Sequence, residues 1–524
     1  MRAERERYDV VVLGGGHNGL VCAAYLARAG LSVLLLERLP HVGGAAVSSQ
    51  LFPGQPARLS RYSYLVSLLP DRIAAELDLG LTLASRPTSS YTPYLRDGEH
   101  RGLLVERPEG DATRRSFAEL TGGEEEYAAW QAFHGDAAAL AAAVAPTLTG
   151  PLPTERDVEA LVDPRVWEDL VRTPLGTTLA RRFSHDLVRG VVATDGLIGC
   201  FASIHDASLT PNKAFLHHVV GNGTGEWRVP VGGMGAVTAA LLRAATGAGA
   251  EVLTGAGVSA VVADDDAAEV TWHDDDGAHT VACRFVLAGV APWVLSILLG
   301  NPDDPVAKPV GSQLKINMLL SRLPRLRSGA DPASAFAGTL HVGQSMPELE
   351  RAFRAAAEGR LPDPLPGEVY CHSLTDPTVL GPIAGSGAQT LTYFGLMTPP
   401  AVFEADPSGS KARAVALALA SIDAHLEEPL ASCLARDANG EPCLEALTPQ
   451  EIEAQLAMPG GHIYHGDPAW PWAANRARLD TPAQQWGVQT DVSSVLLCGS
   501  GARRGGGVSG IPGHNAAQAV LALR

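Results

Sequence analysis

Six residues near the start, Gly14-Gly15-Gly16-His17-Asn18-Gly19, constrain this chain more than any other feature. They follow an apolar, β-branched run at residues 9–13 and open a helical pattern at 17–29, with Gly30 as its C-cap. A second apolar run at 32–36 ends at Glu37, 23 positions after Gly14. Continuous apolar runs joined by one helix predict a βαβ unit in a parallel sheet buried on both faces. In that frame G-x-G-x-x-G is a dinucleotide-binding fingerprint. Gly14 permits the tight turn, Gly16 lets a pyrophosphate approach the backbone, and Gly19 lets the helix pack on the strand. The helix N-terminus, from His17 and Asn18, supplies free N–H groups and a positive dipole end to phosphates. Glu37, with Arg38 beside it, is placed to accept hydrogen bonds from ribose hydroxyls. A second glycine pair, Gly43-Gly44, would let another loop approach the same ligand.

Glycine is in excess throughout: 56 of 524 residues, roughly one in nine against an average near 7%. Such an excess means either linkers or backbone packed against a ligand. With 40 Lys+Arg against 57 Asp+Glu the formal charge is −17, so a nucleic-acid partner is excluded. The seven cysteines are scattered and form no C-x-x-C pair, which suggests neither a zinc site nor a redox disulfide. They read as buried, reduced thiols of a cytoplasmic protein. Residues 1–7 alternate Arg and Glu and lack the apolar stretch of a signal peptide. The most apolar helical stretches, 19–29 and 136–145, are too short or too alanine-rich to span a bilayer, which leaves peripheral membrane contact open.

Residues 110–215 read as mainly helical. A glycine turn at 231–235 precedes a helix at 236–247 and a strand at 251–254. Runs at 258–263, 269–273 and 281–286, joined by acidic turns, predict a small antiparallel meander. Between 301 and 455, strands such as 314–320 and 389–396 mix with helices such as 411–425. The chain then returns to its opening pattern, with a strand at 495–498, a glycine cluster and a helix at 513–523.

The run D-V-V-V-L-G-G-G-H-N-G-L followed by E-R-L-P-H-V-G-G-A-A resembles the flavin-binding start of the phytoene desaturase, carotene isomerase and retinol saturase-like flavoproteins. Within that group it is closest to the pyridine nucleotide-disulfide oxidoreductase domain-containing branch. Further matches lie at 230–237, 314–324, 373–382, 460–467 and 498–517. The resemblance implies an α/β fold with a Rossmann-type FAD-binding domain of the glutathione reductase kind, carrying a small antiparallel meander. That domain would be discontinuous, over 1–75, 225–300 and 456–524. An α+β substrate domain over 76–224 and 301–455 would interleave with it. FAD would bind without a covalent link. The resemblance places Gly14, Gly16, Gly19 and Glu37 on its ADP half and Gly43, Gly44 and Ala45 near pyrophosphate and flavin. Val258 would meet adenine. The closing motif, with Gly499, Gly501, Gly507, Val508 and Gly510, would lie beside the isoalloxazine, the last helix aiming its N-terminus at the pyrimidine edge.

Where relatives commonly carry His-Pro, this chain has Arg503-Arg504. Arg504 either supports an anionic flavin or an acidic substrate, or belongs to a pair answering nearby carboxylates. His462 and His465 flank Tyr464 in the segment the family places near flavin. They either move a proton or hydrogen-bond to backbone. Trp470 and Trp472 wall an apolar pocket or belong to the core; His205, His217 and His218 read chiefly as structural. No metal-ligand spacing is present, so the cofactor would carry the hard chemistry. With one dinucleotide fingerprint and no paired cysteines, a disulfide reductase is disfavoured. The expected activity is hydride transfer between flavin N5 and a C–C or C–N bond of a small organic or lipid-like substrate, with O2 or a quinone as acceptor. The alternatives are a redox-neutral flavin isomerase, an amine-oxidase-like enzyme on a polar substrate, or a non-catalytic flavin-binding regulator. The oligomeric state is not legible.

Overall fold

A computed structural model describes residues 3–524; Met1 and Arg2 of the charged opening segment lie outside the described residues. The opening run forms the strand Arg7–Leu13, the fingerprint opens the helix His17–Arg28, and the second run is the strand Val33–Glu37. The two strands pair in parallel, with Val10 opposite Val33 and Val12 opposite Leu35. Beyond them the sheet adds Glu251–Thr254 on one side and the long strand Gly277–Ala288 on the other, and Val495–Leu497 pairs in parallel with the latter.

The strand Gly277–Ala288 serves two layers. Its second half joins the parallel sheet, and its first half closes an antiparallel meander with Gly257–Ala263 and Ala268–Asp274. Alternation along the first strand explains both layers. Val10 and Val12 pack into the core that holds the helices His17–Arg28, Met234–Gly247 and Ile511–Ala522, whereas Tyr8, Val11 and Leu13 pack with Trp272 and Val270 of the meander. The last helix lies against the first so closely that a Cβ on Gly513 would sit 2.0 Å from the carbonyl oxygen of Asn18. The Tyr25 and His514 rings meet edge to face at 5.1 Å.

A second sheet has the order Leu444–Leu447, Leu314–Leu320, Gln389–Gly395, Gly367–Tyr370, Thr339–Val342, Thr88–Arg96, Glu99–Glu106. Its pairs are antiparallel except where Thr339–Val342 runs parallel to Thr88–Arg96. The hairpin from Thr88 to Glu106 is absent from the sequence reading. The helices Asp111–Thr121, Glu125–Val144, Leu175–Arg182, Asp186–Asp195 and Thr210–Val219 fill the stretch read as helical. The helix expected at 411–425 starts earlier, at Pro407, because Asp406 caps it by accepting from the Gly409 N–H. Gly30, with φ of 82°, sits one residue beyond the cap Ala29. All seven cysteines are buried thiols. Among the described residues no helix is long and apolar enough to cross a membrane.

Candidate functional site

One cavity of about 640 Å³ runs from the fingerprint to the face of the second sheet. At its first end Glu37 is buried, and its carboxylate accepts from the N–H of Gly15 at 2.7 Å and of Leu39 at 2.8 Å. The second and third glycines of the fingerprint differ in what surrounds them. A Cβ on Gly16 would meet nothing within 4 Å, because it would project into the cavity; one on Gly19 would lie 2.2 Å from the Gly14 carbonyl oxygen. Gly43, at φ 120°, donates its N–H to Gly15 O at 2.8 Å and brings Gly44 and Ala45 to the wall. Gly43 itself is backed by Thr238 and Val47 and supports the wall from behind. Val258, Ala256, Val294 and Leu298 form an apolar end. The Arg38 side chain lines this end while its guanidinium donates to the carbonyls of Ala454 and Gln455.

The opening helix has no side-chain cap, and His17 Nε2 and Asn18 Oδ1 are buried at the cavity without a partner. A glycine left open towards the cavity, uncapped helix amides and unpaired polar atoms fit a dinucleotide, and the cavity continues from there to the second sheet. FAD fits this cradle; Gly14, Gly16, His17, Asn18, Gly19, Glu37, Gly44, Ala45 and Val258 line it and are the residues that would hold the ADP half and pyrophosphate.

The closing motif divides. Ser500, Gly507 and Val508 line the cavity. Gly499, Gly501 and Gly510, expected at the cofactor, do not line it and are explained by what they pack on. A Cβ on Gly499 would lie 2.4 Å from Gly289 O, one on Gly501 2.3 Å from the Pro292 ring, and one on Gly510 2.9 Å from Val21. These glycines let backbone and neighbouring elements pack closely.

His465 lines the cavity at φ 63°, and burial, together with His462 and His17 nearby, pushes its imidazole down to about 4. Its Nδ1 has no partner. His462 stands behind it, outside the cavity lining, its Nδ1 accepting from the Tyr464 N–H at 3.2 Å. His217, read as structural, also lines the cavity; burial pushes it down to about 3, and it meets Tyr464 edge to face at 5.2 Å. Arg504 lies away from this cavity. Its guanidinium donates to the carbonyls of Thr147 (2.6 Å), Leu148 (3.2 Å), Gly150 (2.8 Å) and Trp486 (3.2 Å). Burial and Arg503 push it down to about 9. Neither expected role, at the flavin or opposite carboxylates, matches that cage of carbonyls. Arg503 binds the carbonyls of Trp470 and Trp472, whose rings stack at 4.9 Å.

Sequence reasoning missed Lys315, although a lysine inside the apolar strand Leu314–Leu320 was a visible signal. It is fully buried and lines the cavity. Its Nζ donates to Asn317 Oδ1 at 2.9 Å and sits 4.6 Å over the Tyr64 ring. Burial holds its ammonium well below the ordinary lysine range. Tyr64 is tied to the cradle through its neighbour Ser63, whose N–H and hydroxyl both donate to Ala45 O, and its ring lies 4.7 Å from Tyr370. Beyond Tyr370 the lining turns charged, with Arg86, Arg107 and Glu368.

Residues 12–71 match the NAD(P)-binding Rossmann-like domain family. The fold is that of flavoprotein oxidoreductases: it resembles cyclohexylamine oxidase from Brevibacterium oxydans with a TM-score of 0.55, 98% of each chain covered and 16% identity. An uncharacterized protein of Mycobacterium tuberculosis is 51% identical over 98% of this chain and 97% of its own length. The mouse pyridine nucleotide-disulfide oxidoreductase domain-containing protein 2 is 32% identical over 99% of this chain and 94% of its own. The chain belongs to the pyridine nucleotide-disulfide oxidoreductase domain-containing protein 2 family.

Proposed function

We propose that the chain is an oxidoreductase that binds FAD non-covalently and moves a hydride between the flavin and a C–C or C–N bond of a small organic or lipid-like substrate. The observation that carries this reading is the continuity of one cavity from the open side of Gly16 to the Lys315–Tyr64 wall. The segments 1–75, 225–300 and 456–524 serve the cofactor, and 76–224 and 301–455 serve the substrate. When bound, the flavin supplies a two-electron acceptor that no side chain here offers. The protein does the rest. The glycine backbone binds, Tyr64 and Tyr370 orient the substrate, and the enclosing walls exclude water. Lys315, whose ammonium is disfavoured by burial, holds or accepts a proton at Nζ. His465, kept neutral, is a second proton carrier at the cavity wall.

The C–C reading, of phytoene desaturase type, is supported by the motifs at 230–237, 314–324 and 498–517. The charged lining beyond Tyr370 favours a second reading, an isomerase or amine-oxidase-like enzyme on a polar substrate. In the oxidising readings O2 or a quinone takes the electrons, in the cytoplasm, whereas an isomerase returns them to its own product. Anaerobic titration of the holoprotein with candidate substrates, following the flavin band near roughly 450 nm, decides. Bleaching followed by recovery with O2 or a quinone is expected. A flavin that no substrate bleaches, and that stays reduced in air after photoreduction, would leave only the regulatory, non-catalytic reading.

A further inference from the structure

Arg86 is 6% exposed and stands at the cavity wall. A buried guanidinium is normally matched by a carboxylate or fully enclosed by acceptors, because an uncompensated charge in the interior is costly. Arg86 has neither. Its Nε donates to Trp227 O at 3.2 Å and its Nη1 reaches Thr339 Oγ1 at 3.3 Å, and no carboxylate lies within 4.0 Å among the described residues. The Tyr370 ring beneath it, at 5.8 Å, offers only a weak π contact. Arg504 is the instructive contrast, equally buried but held by four carbonyl oxygens.

The carboxylates on the same arm are already engaged. Glu106 accepts from the Thr113 N–H and hydroxyl at 3.0 and 3.2 Å. Glu109 accepts from Trp130 Nε1 at 2.8 Å and the Tyr127 hydroxyl at 3.0 Å. Asp195 lies 3.3 Å from His218 Nδ1, and Glu368 accepts from the Tyr370 hydroxyl. A second guanidinium, Arg107, lines the arm, with a long 3.9 Å contact to Glu226 and a 3.1 Å bond to Ser89 Oγ. Burial most disfavours the Arg86 charge and Arg107 opposes it too, while Tyr370 and Glu368 favour it from a distance too long for an ion pair. The cavity therefore has two cations in one wall, Arg86 with no carboxylate within 4.0 Å among the described residues and Arg107 with one only at 3.9 Å, and acids that each already hold another donor.

We propose that Arg86, assisted by Arg107, is the anchor for an oxyanion head group of the substrate, a carboxylate or a phosphate, while the rest of that substrate lies along Tyr370 and Tyr64 towards Lys315. This rests on reading the cavity beyond the cradle as the substrate site. It transfers to Arg86 the recognition of acidic substrates that the sequence suggested for the Arg503-Arg504 pair.

The test is thermal unfolding of the full chain, followed by tryptophan fluorescence, with hexanoate, hexyl phosphate, hexylammonium and hexanol. Hexanoate or hexyl phosphate should raise the midpoint saturably, and whichever does so names the head group; hexylammonium and hexanol should not. Arg86→Gln should weaken that protection at least about tenfold, the loss of one charge-assisted hydrogen bond. Arg86→Lys should restore part of it. Without ligand Arg86→Gln should unfold no earlier than the parent, since an unmatched charge has been removed, whereas a purely structural arginine would lose stability. Protection by hexylammonium in preference, equal protection of Arg86→Gln, no protection by either anion, or earlier unfolding of ligand-free Arg86→Gln would overturn the proposal. A colourless protein that hexanoate still protects through Arg86 would sink the FAD reading and spare this one. A yellow protein indifferent to both anions would do the reverse.

Discussion

The N–H of Gly15 donates to Oε2 of Glu37 at 2.7 Å, so the end of the second strand fixes the turn that ends the first. The other oxygen holds Leu39 N–H at 2.8 Å. Glu37→Gln keeps the shape but offers an amide NH2 to one of two buried N–H donors. We expect a stability loss of about 1–2 kcal/mol and roughly tenfold weaker FAD binding. Urea unfolding and a flavin-fluorescence titration measure the two separately.

Gly16 and Gly19 should fail in opposite ways. Gly16→Val has open space for its side chain, so the protein should fold with an unchanged midpoint and purify colourless. Gly19→Ala drives a Cβ into the Gly14 carbonyl and should cost roughly 1–3 kcal/mol. Full yellow colour in purified Gly16→Val would contradict the cradle as described.

Lys315→Met should lower turnover about 10²–10⁴-fold, the usual range for a lost acid–base group. It also has a stability signature. Burial depresses the folded ammonium, so the unfolded chain binds a proton that the folded chain does not, and stability rises with pH up to the ordinary lysine value of 10.5. Removing the group flattens that rise, and the gain in stability is largest at the low-pH end. Urea midpoints across the alkaline range follow it.

Arg504→Ala strips four carbonyls of their donor and should destabilise by roughly 3 kcal/mol, while kcat per folded molecule stays the same. Arg504→Lys should rescue little, because a single ammonium cannot reproduce the planar fork. A change in kcat at full folding would return Arg504 to the active site.

Acid should unfold the protein through its buried imidazoles. His17 and His465 sit near 4 when folded and rise to the ordinary 6.5 when unfolded, so stability is complete above 6.5 and drains as pH falls towards 4. Each contributes roughly 3 kcal/mol to that loss. His465→Gln should shift the acid midpoint to lower pH, readable by circular dichroism.

The strand–turn–helix opening was legible because each residue's role there is local: apolar strand, glycine turn, helix packing. The meander was equally plain, since alternation and acidic turns mark every hairpin. The hairpin from Thr88 to Glu106 was not, because Pro93 and a Ser/Thr-rich first strand break the pattern. Its Gly102 is explained only across the hairpin, where a Cβ would strike the Tyr91 ring at 2.0 Å. The closing glycines look alike as letters. What separates Gly507 from Gly499 or Gly510 is contact with Leu68, Gly289 and Val21, partners remote in the chain. Lys315 was visible as a cation in an apolar strand, but its meaning depends on Tyr64, 251 positions earlier.

The pairing of Val495–Leu497 with the long meander strand, and of the last helix with the first, has a consequence for the order of events during synthesis. The fingerprint leaves the ribosome about 480 residues ahead of the wall formed by Ser500, Gly507 and Val508. Every nascent intermediate therefore exposes a glycine turn with no far wall. Cofactor capture becomes a late checkpoint on translation, open only to chains whose distant segments have already met.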